Sequence, residues 1–190
     1  MNILLGLAPF IVFFVLMRLV SPLAGLAAAF AVSFLLGVHQ WWRGEQVKVL
    51  EVGSLLLFGV LVLYTLIATR HWSVATVRLA VDSGLFAIVL VSLAIGMPFT
   101  LQYARERVPK EYWTSPLFYT TNQRITGVWA AAFAVMTTAD AAAEYIDAIP
   151  LWIDVAATIA AFVTAVWFTQ WYPTVVRRRA ESVGSTRPAD

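Results

Sequence analysis

The chain has 190 residues, of which 61% are hydrophobic and 13% charged, with a formal net charge of +2 and no cysteine. Its mean hydropathy is +0.78, and a soluble domain of this size could not cover so much apolar surface with so few charges, so lipid is its natural solvent. The missing cysteines exclude disulfides, thiolate metal sites and cysteine nucleophiles, and the basic pI near 9.2 calls for no nucleic acid, because cations in loops set membrane topology.

In chain order, "MNILLGLAPFIVFFVLMRLV" opens with no basic residue before its apolar core. It is read as an uncleaved membrane segment, not a secretory signal. Six apolar stretches follow one another at about 3–19, 22–42, 52–69, 75–97, 124–146 and 150–172. Most reach the ~20 residues that a helix needs to cross the hydrocarbon core. They are too long for strands and do not alternate. The first is interrupted by Arg18 and Ser21-Pro22, which leaves an apolar core of about 15 residues, or ~23 Å of helix. It either crosses while tilted or is a re-entrant or interfacial piece. The expected fold is all-α, a polytopic membrane helix bundle of five to six transmembrane helices. Residues 1–173 would form one domain with an interfacial cytoplasmic loop at 98–123. Residues 174–190 would form a basic, disordered cytoplasmic tail.

Lysine and arginine set the orientation. Arg43, Lys48, Arg105, Arg107, Lys110, Arg124, Arg177, Arg178, Arg179 and Arg187 fall on one side, and only Arg18, Arg70 and Arg78 on the other. This 10-to-3 split places the C-terminus and the 98–123 loop in the cytoplasm. Trp41, Trp42, Trp72, Trp152, Trp167 and Trp171 lie near span ends, as an aromatic belt requires.

In this frame Asp140, Glu144 and Asp147 occupy the outer end of the fifth apolar segment, Asp154 starts the sixth, and Asp82 lies about two turns into the fourth. Asp140 and Glu144 are four residues apart and share a helix face. Two readings stay open. Asp82, Asp140 and Glu144 are candidates for a polar cavity that takes a proton or cation. Alternatively, the acids end their helices at a wet mouth, with Arg78 one turn from Asp82 as its partner.

His39 and His71 fall on opposite sides of the bilayer and cannot share a haem or zinc. No other metal-ligand cluster, phosphate loop, HExxH or GxSxG occurs, so no metal, cofactor or enzymatic activity is expected. "GLAAAF" (25–30) and "GVWAAAF" (127–133) suit close helix packing or a homo-oligomer. The stretch 98–124 interleaves Tyr112, Trp113 and four other aromatics with Arg105, Arg107, Lys110 and Arg124. It is either an interfacial linker or a surface that docks lipid or a partner, broken into short pieces by Pro98, Pro109 and Pro116.

Four motifs carry a family resemblance. "PFIVFFVLMRL" (9–19), "WWRGEQV" (41–47), "GLFA" (84–87) and "RITGVWAAAF" (124–133) resemble, in order and spacing, motifs of the bacterial intracellular septation protein A family over roughly residues 8–172. Thr126 stands where the family pattern has Asn. The resemblance implies a non-enzymatic inner-membrane protein that supports cell division and envelope integrity, with division or wall-elongation membrane proteins and lipids as partners. Arg18 and Arg124 would be anchors. A small ion- or proton-coupled transporter is the alternative reading of the outer carboxylates.

Overall fold

The computed structural model describes residues 3–44, 46, 48–68, 72–146 and 150–185, with side chains placed for all of these except 3, 4, 151 and 180–185. The helices are α1 (Ile3–Gly6), α2 (Ala8–Leu19), α3 (Pro22–Arg43), α4 (Val49–Ile67), α5 (Val74–Ala94), α6 (Phe99–Arg105), α7 (Pro116–Tyr145) and α8 (Leu151–Ser185). One 3-10 turn, Lys110–Tyr112, joins α6 to α7. The described residues contain no strand. Five helices (α3, α4, α5, α7 and α8) are long and apolar enough to cross a membrane.

Helix boundaries follow from local chemistry. Pro22 at the first position and Ser21 Oγ, which accepts the Ala24 N–H at 3.2 Å, start α3. Gly44 ends it in the left-handed region at φ 65°. Ser73 Oγ accepts the Thr76 N–H at 2.9 Å and starts α5. The first apolar segment is not among the five spans. Its main helix, α2, has 12 residues, or ~18 Å at the helical rise. It packs chiefly along α3.

Two expected boundaries move. The fifth span begins at Pro116, not at 124, so the last part of the 98–123 loop forms the first turns of α7. Residues 174–185, expected as a disordered tail, continue α8 through Pro173.

Neighbouring helices pack in the order α2, α3, α4, α5, α7, α8, with α6 against α7. The core is aromatic. Phe58 meets Phe10 at 5.0 Å and Phe13 at 5.9 Å between ring centroids, and Trp129 meets Phe133 at 5.5 Å and Phe162 at 5.6 Å. Outward-facing Phe34, Leu35, Leu56, Val60, Leu63 and Val163 are left uncovered. Such a surface aggregates in water and is ordinary against lipid tails.

Consecutive spans alternate in direction. One end of the bundle therefore gathers most of the cations, and the other gathers Asp140, Glu144 and Asp154. At the basic end Lys48 is buried and meets Glu106 at 2.8 Å and Glu51 at 3.6 Å. Its ammonium also lies 5.0 Å from the Tyr103 ring centroid. Gln102 Oε1 accepts the Val49 N–H at 2.8 Å. These contacts hold α6 across the start of α4 and fix the 98–115 segment to the bundle.

Candidate functional site

Arg78 lies in the second turn of α5, only 2% exposed, and its guanidinium reaches two other helices. Nη2 approaches Asp140 Oδ1 of α7 at 2.6 Å. Nη1 and Nη2 donate to Asp154 Oδ2 and Oδ1 of α8 at 2.5 and 3.2 Å. This is the two-pronged geometry that only a guanidinium offers a carboxylate. Thr158 Oγ1, one turn further along α8, lies 3.5 Å from Nη2. The Phe14 ring of α2 sits 5.1 Å from the guanidinium carbon, within cation–π range.

Asp82, one turn beyond Arg78 on α5, lies beside Asp140. Arg78 therefore turns its donors to the acids of α7 and α8, while Asp82 meets the Asp140 carboxyl. Asp82 Oδ2 and both Asp140 oxygens lack a well-aligned hydrogen-bond donor. The Arg78–Asp140 contact is consequently a close ion pair aimed off the N–H directions. One guanidinium faces three buried carboxyl groups, more than it can pair in their ionised form at a depth where unpaired charge is costly. Asp82 also borders, with Thr158, a cavity of about 290 Å³ walled by phenylalanines of α2, α7 and α8.

Of the candidate cavity residues, the structure brings Asp82 and Asp140 together and leaves Glu144 out. Glu144 accepts from Thr76 Oγ1 at 2.6 Å and Ser73 Oγ at 3.1 Å. It ties the end of α7 to the start of α5. Asp147, with Arg70, His71 and Arg187, lies outside the described residues. Sequence reasoning gave no central place to Asp154 or to Arg78 as a three-helix hub. Their side chains are 76 positions apart, and the available signal was that both sit about one turn inside the same end of their spans.

At the basic end, Arg124 Nη1 donates to Tyr172 Oη of α8 at 2.6 Å, so it joins α7 to α8. Trp113 Nε1 donates to the Val108 carbonyl at 2.9 Å, and the Arg105 guanidinium stands 5.5 Å over its ring. Tyr112 is 54% exposed. Arg18 is exposed at the end of α2. Thr126 pairs with Thr100 of α6 at 2.7 Å. Thr100 in turn donates to the Asn122 carbonyl at 2.9 Å. Burial and the neighbouring Glu51 carboxylate push the Tyr103 phenol well above its ordinary range, so it stays a protonated donor towards Glu51.

A bundle with five apolar spans, a lipid-compatible exterior and a buried ionic hub is a multi-pass membrane protein. Comparison of the chain with protein-family models, with curated proteins and with solved structures finds no match in any of the three.

Proposed function

We propose that this chain is a non-enzymatic protein of the bacterial inner membrane, with a cytoplasmic C-terminus, that supports cell division and envelope integrity by associating with other membrane proteins. The observation that carries this reading is the ordered aromatic-basic segment between α6 and α7. It is clamped to the bundle through Lys48–Glu106 and braced by Trp113 on Val108 and Arg105. It presents Tyr112 outward. A segment that only joined two spans would need no such anchoring, whereas a preorganised surface lowers the ordering cost of docking.

The resemblance to septation protein A supports the same reading. Its motifs supply core packing: Phe13 and Met17 of α2 against Gly25 of α3, and Trp129 with Phe133 in α7. The test replaces Tyr112 and Trp113 together by Ala, and separately Arg124 by Ala. Loss of co-purifying division or wall-elongation proteins, or of resistance to envelope stress, is expected with the protein still present in the membrane. Wild-type behaviour of both variants in both assays rejects the reading.

A second reading, a small proton- or cation-coupled transporter, is favoured by one observation: the unbalanced carboxylates Asp82 and Asp140 around Arg78. Protons or a cation would meet the excess charge. It expects Asp140→Asn to abolish ion-dependent flux in vesicles with the bundle still folded. Unchanged flux removes it.

A further inference from the structure

A groove of about 900 Å³ opens at the basic end between α6, the segment that follows it, the first turns of α7 and the last turns of α8. This is within the size range of ligand sites. Among the described residues, Arg107 and Arg177 are the charged ones that line it. Tyr112 and Ser115 add hydroxyls at the same mouth. Deeper in, Leu117, Phe118, Ile125 of α7 and Val166 of α8 share the wall with Thr121, Asn122 and Thr169, whose hydroxyl or amide groups are partly taken up within the bundle, as Asn122 Nδ2 donates to the Phe118 carbonyl and Thr169 Oγ1 to the Ala165 carbonyl.

The groove straddles the membrane boundary. Trp167 and Trp171 stack at 5.2 Å between centroids and stand exposed on α8, the signature of the headgroup level. Arg177 lies six residues beyond Trp171, ~9 Å towards water. Val166 lies 11 residues deeper than Arg177, ~16 Å along the helix and level with Trp167 at the inner edge of this belt. A ligand that fills this space carries an anionic head at one end and a hydrocarbon chain at the other. A soluble partner would have to push its own backbone down through the headgroup level to reach Val166.

We propose that the groove holds one anionic phospholipid, its phosphate between Arg107 and Arg177 and an acyl chain along Ile125 and Val166. Arg124, which the resemblance makes an anchor, is outside the lining and donates to Tyr172. The site goes beyond the association role. Tyr112 serves both, but the Arg107 and Arg177 variants below leave Tyr112, Trp113 and Arg124 untouched, so the two readings fail separately.

The test uses the full-length protein in a mild detergent, dosed with phosphatidylglycerol or with phosphatidylcholine of the same chains, and counts bound lipid by native mass spectrometry. Wild type is expected to retain phosphatidylglycerol in preference. Arg107→Gln with Arg177→Gln should weaken phosphatidylglycerol retention about 30-fold, at about fivefold per arginine near a membrane surface, and leave phosphatidylcholine unchanged. Both arginines sit on an exposed rim, and circular dichroism checks that the double variant is folded. Ile125→Trp fills the apolar end and should lower retention of both lipids. Equal retention of the two lipids by wild type, or an undiminished preference in the double variant, overturns the proposal. Displacement of phosphatidylglycerol by inorganic phosphate alone overturns it too, because the groove would then be a free-anion site.

Discussion

Arg78 serves three carboxylates with one guanidinium, and that ratio orders the substitutions around it. Arg78→Leu leaves Asp82, Asp140 and Asp154 buried without their cation, a change that typically costs about 3–5 kcal/mol. Asp154→Asn breaks the two-pronged pair and should also destabilise. Asp82→Asn leaves both Arg78 ion pairs in place and should cost much less than either. Unfolding midpoints in detergent order the three variants, and an Asp82→Asn protein as unstable as Arg78→Leu would contradict the charge balance. At the basic end, burial disfavours the charged Glu106 carboxylate, but the positive groups that face it, the Lys48 ammonium 2.8 Å away first among them, together hold the carboxyl below its ordinary value of 4.5. A depressed carboxyl pKa stabilises the fold above 4.5 and loses that contribution as pH falls below it. Stability of the wild type should therefore drop on acidification through that range more than stability of Glu106→Gln, measured by unfolding at stepped pH.

Between elements, small residues decide which helices touch. A Cβ on Gly25 would meet the Phe13 carbonyl at 2.9 Å and the Met17 nitrogen at 3.0 Å. Both are backbone atoms of α2 that cannot turn aside. Gly25→Leu should force α2 off α3 at a cost of about 1–3 kcal/mol. Gly127→Leu, with nothing within 4 Å, should leave stability unchanged in the same thermal unfolding assay. The α4–α5 contact is more forgiving. Gly53 faces the Ile88 side chain and Gly84 faces that of Leu57, and side-chain ends can rotate away.

For the whole molecule, orientation rests on the asymmetry of cations in loops. The structure removes one cation from each side of that comparison. Lys48 is buried in ion pairs with Glu51 and Glu106, and Arg78 is buried in the ionic hub. The bias survives because Arg43, Arg107, Lys110, Arg178 and Arg179 stay exposed at the basic end. A fluorescent protein fused to the C-terminus should fold and fluoresce, and alkaline phosphatase at the same point should be inactive. The reverse pair of outcomes would invert the bundle and place the lipid groove in the outer leaflet.

The sequence by itself determined that the chain is all-helical and suited to lipid, and it located the five helices long and apolar enough to cross, leaving open whether the first segment was a sixth. These follow from run length and composition, which need no knowledge of neighbours. It also placed Asp82 and Asp140 at a common depth, since depth is counted along each helix. Only the tertiary structure decided which face each helix turns inward. Rotation sent Glu144 to Ser73 and Thr76, brought Asp154 of α8 to Arg78 of α5, and gave Arg124 to Tyr172. The starts and ends of helices near the interface shifted for a related reason. Pro116 can open α7 and Pro173 can sit inside α8 because packing and solvation at the basic end, not hydropathy, set those boundaries.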